Sequence, residues 1–163
     1  MTRIGLLSDT HGSLLPEVVS FLDPVDEVWH AGDIGDPAVI RGLEALHPVR
    51  AVFGNIDGQA VRSVAPEYRV FTVEEVGILL IHIGGYPGKY TLQARGLIER
   101  HCPKLFVCGH SHILKVMWDP RYDLLHINPG AAGKFGMHRS VTAVRFTLDG
   151  PEIRDLEVLD IPR

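Results

Sequence analysis

The sequence predicts an α/β fold in which two sheets pack together with helices on their outer sides. Two observations carry this. The first third alternates short apolar runs with amphipathic ones on short links, in the order strand, helix, strand, helix, strand of a parallel α/β start. The second half holds mostly strand-like segments, enough for another sheet against the first. At 163 residues, 45% apolar and 22% charged, the chain has the size of one domain, residues 1–163, with a real core.

The elements follow in order. Arg3–Ser8 reads as a buried strand, and Leu14–Leu22 as a helix with Pro16 tolerated in its first turn. Glu27–His30 is a second strand. Ala38–Leu46 is a helix that Pro37 can begin and Pro48 follows, and Val49–Phe53 is a third strand. Arg69–Glu74 and Ile78–His82 read as neighbouring strands joined near Gly77. Tyr90–His101 is helix-like, and Lys104–Cys108 is another buried strand. Ile113–Trp118, Leu124–Ile127, Ser140–Leu148 and Glu152–Leu159 are strand-like, with Asp149-Gly150 as a hairpin turn between the last two. Trp29 and Trp118 read as core or interface surface.

Composition narrows the function classes. No apolar run approaches the roughly 18–20 residues of a membrane span, and the short apolar N-terminal segment does not resemble a signal peptide. Cys102 and Cys108, in no metal or redox spacing, read as free thiols, which points to the cytoplasm. Net charge is −4, unevenly spread: residues 1–82 carry 12 acids against 5 Lys/Arg, and residues 83–163 carry 8 against 11. No Lys/Arg patch with interleaved aromatics exists, so no dedicated nucleic-acid surface is expected.

The chemistry lies at the strand ends, where ligands of open α/β sheets bind. The first strand runs into Asp9-Thr10-His11-Gly12, the second into Gly32-Asp33, and the third into Gly54-Asn55-Ile56-Asp57. Ile78–Ile81 runs into His82, and Leu105–Cys108 into Gly109-His110-Ser111-His112. Asp9, His11, Asp33, Asn55, His82, His110 and His112 exceed what one tetrahedral ion needs and fit two ions sharing a carboxylate. Mixed O/N ligation without thiolate favours Mn²⁺, with Fe, Zn²⁺ or Ni²⁺ as alternatives. His30, His47, His101 and His126 lie in or beside apolar segments and read as structural.

Taken together, Asp-X-His-Gly, Gly-Asp, Gly-Asn-X-Asp, a lone His and Gly-His-X-His resemble the pattern of calcineurin-like metallophosphoesterases. The small size, His30-Ala31-Gly32-Asp33 and Asn128-Pro129-Gly130 are similar to their compact bacterial and archaeal phosphodiesterase branch. The resemblance implies a four-layer α/β/β/α sandwich of two packed mixed sheets with a dinuclear site at one edge. It implies that Asp9, His11, Asp33 and His112 hold one divalent metal, and Asp33, Asn55, His82 and His110 the other, with Asp33 bridging. It also implies hydrolysis of a small phosphate ester, most simply a diester, by a metal-bridging hydroxide attacking phosphorus in line. The catalytic set is then Asp33, Asn55, His110 and a supporting carboxylate, Asp57, that orients a ligating group.

Two departures stand out. Many relatives have a histidine after the Asn to help the leaving group; here it is Ile56, which has no proton to give. Relatives often read His-Gly-His where this chain has His82-Ile83-Gly84-Gly85-Tyr86, a stretch that reads as a solvated loop or, through Tyr86, Lys89 and Tyr90, as a cleft wall. Lys134, His138 and Arg139 form a candidate rim for a phosphate oxygen. The alternative function is a non-catalytic, protein-binding scaffold similar to the retromer subunit of the same fold, which would not need seven intact ligands. The strand-rich end could pair two copies into a homo-oligomer, though nothing in the pattern demands it.

Overall fold

In the computed structural model, which describes residues 1–163, the predicted alternation is present. It runs β1 (Thr2–Leu7), α1 (Pro16–Leu22), β2 (Glu27–His30), α2 (Pro37–Glu44), β3 (Val49–Ala51) and a short α3 (Gln59–Arg62). Then come β4 (Tyr68–Val73), β5 (Val76–Ile81), β6 (Gly85–Tyr86), β7 (Lys89–Tyr90) and α4 (Leu92–His101). The remainder is all strand: β8 (Leu105–Val107), β9 (Leu114–Asp119), β10 (Leu124–Pro129), β11 (Ser140–Asp149) and β12 (Glu152–Pro162).

Two five-stranded mixed sheets result, ordered β12-β11-β1-β2-β3 and β4-β5-β8-β10-β9. In the first, β1, β2 and β3 are parallel and β11 is antiparallel to β1. In the second, β5, β8 and β10 are parallel. The last two strands thus return to the first sheet instead of extending the second. They cover the edge of β1 that would otherwise present unpaired N–H and C=O groups.

Side-chain alternation builds four layers. Ile4, Leu6, Trp29, Val144 and Phe146 of the first sheet meet Ile78, Leu80, Leu105, Val107 and Ile127 of the second in a dry central core. The outer face of the first sheet packs under α1, α2 and α3 through Leu7, Val28, Leu22, Ile40, Leu43 and Val61. The outer face of the second packs under α4 through Leu79, Phe106, Ala94 and Ile98. Gly5 allows the close approach of α1, since a Cβ there would lie 2.5 Å from Leu22 Cδ2. Burying each Leu or Ile adds about 1.5–3 kcal/mol, so these interfaces set the sheet spacing.

Several local expectations change. The β4–β5 hairpin turns at Glu74-Glu75, with Glu74 left-handed at φ 54°, rather than near Gly77, which pairs with Thr72 inside the ladder. Tyr90 belongs to β7, and α4 begins only after Thr91, whose Oγ1 accepts the Ala94 N–H at 3.1 Å. Glycine-rich residues 84–90 form a small hairpin held by β6–β7 pairing rather than a solvated loop. Trp29 is central core, whereas Trp118 lies half exposed on edge strand β9. Of the four histidines read as structural, His30 and His126 are buried and His101 is exposed. Cys102 and Cys108 are free thiols.

Candidate metal centre

The carboxyl ends of β1, β2, β3, β5 and β8 meet along one edge where the two sheets face each other. Backbone hydrogen bonds tie the turns together: Asp9 N–H to Gly32 O at 2.9 Å, His11 N–H to Asp33 O at 3.0 Å, and Gly109 N–H to His82 O at 2.9 Å. Close approach needs glycine at two of these points. A Cβ on Gly54 would sit 2.1 Å from Asp33 Oδ1, and one on Gly109 would sit 2.1 Å from Ser8 Oγ.

The seven predicted ligands converge there. Asp9, His11 and His112 form one group, and Asp33, His82 and His110 another, with the candidate ligand atoms of each within 4.8 Å of one another. Asp33 Oδ2 lies between them, 3.6 Å from His11 Nε2 and 3.3 Å from His82 Nε2. Asn55 Oδ1 lies 3.1 Å from His82 Nε2 and 3.0 Å from His110 Nδ1, closing the second group.

Proton positions follow from the partners. His82 Nδ1 is 2.7 Å from Ala31 O, which only accepts, so Nδ1 carries the proton and the Nε2 lone pair faces Asp33 and Asn55. His138 Nε2–H donates to Gly133 O at 2.7 Å, leaving His138 Nδ1 to accept from His112 Nδ1–H at 3.2 Å. The His112 Nε2 lone pair is thereby turned toward Asp9 Oδ1, 3.1 Å away. Asp9 Oδ1 and His11 Nε2 are buried without any hydrogen-bond partner. Lone pairs and carboxylate oxygens that face one another suit divalent cations.

The charges reinforce one another. Burial opposes ionisation of Asp33, yet His82, which donates from Nε2 when its ring is protonated, together with the Ile56 N–H and His11, holds its carboxyl below the ordinary value. Burial likewise opposes protonation of His82, but Asp33 and Asp9 raise its pKa. His112 is shifted down by burial, aided by His138 and His11 and opposed by Asp9. The shifts of Asp33 and His82 reflect a carboxylate-rich pocket that favours positive charge, whereas at His112 burial and the neighbouring histidines prevail.

The supporting residues sort differently from expectation. Asp57 turns away from the cleft: Oδ1 accepts the Gly35 N–H at 2.8 Å, and Oδ2 accepts those of Ile34 at 3.1 Å and Gly54 at 2.8 Å. It clamps the turns carrying Asp33 and Asn55 and touches neither group of ligands through its side chain. His138 lines the cleft beside His110 and His112 and also orients His112. Arg139 lines a cleft of about 600 Å³ beside His110 and His112, whereas Lys134 is exposed and makes no ion pair. Ile56, between Asn55 and Asp57, is 47% exposed and places an apolar side chain beside the ligand turn.

Phe135 and Ser8 escaped the sequence reading, and His30, read as structural, has a specific task at the site. Phe135 stacks on His11 with centroids 5.0 Å apart, and Ser8 Oγ–H donates to Asp9 Oδ2 at 2.7 Å. His30 accepts the Gly32 N–H at Nδ1 and donates from Nε2 to Thr10 Oγ1, whose hydroxyl donates to Ile34 O, so a buried histidine braces both aspartate turns. Only the adjacency of Ser8 to Asp9 was visible along the chain.

Comparison with known proteins agrees with this geometry. Residues 2–150 match the Calcineurin-like phosphoesterase superfamily domain. The chain is 35% identical over 134 residues to a protein of Methanothermobacter thermautotrophicus named "Probable metallophosphoesterase", covering 78% of this chain and 76% of that one. Among solved structures, Vps29 of Chaetomium thermophilum superposes with a TM-score of 0.77 at 14% identity, covering all of both chains. Yfce, a phosphoesterase from E. coli, superposes with a TM-score of 0.63 at 20% identity, covering 95% of this chain and 98% of that one. At such identities the two structures speak for the fold alone, whereas the domain match and the archaeal relative place this chain in the calcineurin-like phosphoesterase superfamily.

Proposed function

We propose that the protein is a metal-dependent phosphodiesterase whose seven ligands hold two divalent cations, Mn²⁺ foremost, around Asp33. The observation that carries this is the pair of facing ligand groups with Asp33 Oδ2 between them and two buried acceptor atoms left without partners. Bound there, the cations would activate water and neutralise charge developing on a phosphoryl group. Asp9, His11 and His112 would hold one, Asn55, His82 and His110 the other, and Asp33 both.

The chain's own residues then set the reaction's limits. His138 and Ala31 fix which nitrogen of His112 and His82 faces the cleft. Ile56 has no proton to give a departing alkoxide, a contribution worth ~10²–10⁴ in rate where a general acid is present. Esters whose leaving group is stable unprotonated, such as aryl diesters, therefore turn over faster than alkyl monoesters. Arg139, on the wall of the cleft, is the cationic side chain available to a non-bridging phosphate oxygen.

The test is metal content of protein purified without chelator, followed by Mn²⁺-stimulated hydrolysis of bis-p-nitrophenyl phosphate in the parent and in Asp33→Asn. Two ions per chain, with turnover lost in Asp33→Asn, supports the reading. A metal-free protein that hydrolyses nothing, yet captures a protein partner equally well as Asp33→Asn, would move it to the scaffold class.

A further inference from the structure

Beside the His110 turn lies a second cavity of about 320 Å³. Strand β9 supplies one wall through Lys115, and the β6–β7 hairpin supplies another through Gly85 and Tyr86. Gly109, His110 and Ser111 close the end next to the metal centre. No aspartate or glutamate lines it.

Lys115 is half-buried, and its Nζ lies 4.3 Å from the centroid of the Tyr86 ring. The ammonium therefore stands between two walls of the cavity, with an aromatic face and no carboxylate as its partner. The carboxylate on the same face of β9, Asp119, is occupied elsewhere: Oδ2 accepts the Tyr90 O–H at 2.7 Å and Oδ1 the Arg121 N–H at 2.9 Å. Burial, and after it the charge of Lys115, push the pKa of His126 down to about 4, which sets the ammonium within electrostatic reach of a neutral wall. Asn128 donates to Gly109 O and Ser111 Oγ and accepts the Gly130 N–H, so it has nothing left for Lys115. Ser111 Oγ accepts from Asn128 at 3.0 Å and from the Ile113 N–H at 3.2 Å, which leaves its own proton to donate. The open polar capacity beside the metal turn is thus a cation and a hydroxyl donor.

We propose that this cavity seats a second anionic group of the substrate, a phosphate or a carboxylate, with Lys115 as its counter-charge and Ser111 as a further donor. An uncompensated charge in a recess without acids draws in the opposite sign, whereas a neutral group would leave it unmatched and a cation would be repelled. Ser111 directly follows the ligand His110, so an ester at the metals and an anion here lie within the span of one small molecule. The inference rests on the reading of the neighbouring centre as a phosphoester site and narrows its substrates to esters that carry another negative group.

Calorimetric titration of the Mn²⁺-loaded protein with 6-phosphogluconate and with glucitol 6-phosphate tests this. The two share the phosphate and the open polyol chain, and differ in a carboxylate against a hydroxymethyl group at the far end. 3-Phosphoglycerate and glycerol 3-phosphate make the same comparison over a shorter span. In at least one pair the carboxylate should tighten binding about tenfold at low salt, and less as added salt screens it. Lys115→Met should remove most of that preference while leaving the probes without carboxylate unchanged, and Lys115→Arg should keep it. Equal affinities within both pairs overturn the cavity but leave the phosphate site standing. A preference that survives Lys115→Met, or that Lys115→Arg fails to keep, overturns it as well. So does gluconate, which lacks phosphate, binding as tightly as 6-phosphogluconate, since the cavity would then be a separate anion site. Binding of none of the phosphate probes defeats the phosphate site, and the cavity with it.

Discussion

Asp57→Asn exchanges one carboxylate oxygen for an NH₂ in a place surrounded by backbone donors. Asp57 is 4% exposed, with Oδ2 shared by the Ile34 and Gly54 N–H groups and Oδ1 occupied by Gly35 N–H. The better amide orientation keeps oxygen on the two-donor side and sets NH₂ against Gly35 N–H. One charge-assisted hydrogen bond is lost, two become neutral ones, and two donors face each other. Hydrogen bonds to charged groups contribute roughly 1.5–3 kcal/mol and neutral ones about 1, so the substitution should cost about 2.5–7 kcal/mol. For a chain of this length each kcal/mol moves Tm by roughly 2–4 °C, giving a fall of at least about 5 °C. Thermal unfolding in chelator reads this directly, with no contribution from metal. Metal affinity should fall as well, because the clamped residues adjoin Asp33 and Asn55. An unchanged Tm in chelator, with turnover abolished, would mean that Asp57 acts on substrate and that the clamp is misread.

Three other outcomes are expected. Saturating Mn²⁺ at a hundred times its Kd should add about 2.7 kcal/mol of stability for each ion held, seen as a Tm rise that EDTA reverses; no rise at any concentration would refute the centre. His138→Ala should weaken the ion held by Asp9, His11 and His112 by about 10–100-fold while sparing the other; a calorimetric titration showing both steps unchanged would mean that His138 does not orient His112. Stability should fall with acid through His126, whose native pKa of about 4 lies below the ordinary 6.5. The unfolded chain takes up this proton first, so stability is intact above about pH 6.5 and about 2 kcal/mol is lost on going from pH 7 to 5. The slope of Tm against pH should therefore be shallower in His126→Phe, and an identical slope would assign the acid sensitivity elsewhere.

The parallel start and the ligand set were legible because each rests on local pattern: apolar runs of strand length and a glycine beside every ligand turn. Both sheets present their strand carboxyl ends at one edge, so the residues that end the strands meet, as the general rule for open sheets requires. What stayed hidden depends on contacts between distant segments. That β11 pairs with β1 rather than β10 is decided by which edge remains open after the parallel unit forms, which no periodicity records. Asp57 read as a side chain that orients a ligand; what it holds is the backbone of two turns, and that is visible only once Gly35 and Gly54 lie together. His138 reads along the chain only as part of a basic rim; that Gly133 O, five residues back and across a turn, fixes its proton pattern and hands its Nδ1 to His112 is not visible there. The short α3 has no periodic signal long enough to register.

The backbone itself argues that this edge is built for ligands at the expense of stability. Asp9, His11, Asp33, His110 and His112 all have left-handed φ, between 47° and 73°. Such conformations are uncommon for side chains other than Gly, though Asp, Asn and His tolerate them best. Strain of this kind persists only where surrounding structure over-determines it. Here it does: His11 N–H and Gly12 N–H lock onto the carbonyls of Asp33 and Ile34, and His110 N–H onto Asp9 Oδ2 at 3.1 Å. Each turn is thus held by a neighbour that is itself a ligand turn. The backbone hydrogen bonds fix the acceptor atoms, and the repulsion among them is borne by the packed sheets behind. A fold that needed only the sheets could relax all five turns, so the strain makes sense as preorganisation for positive charge.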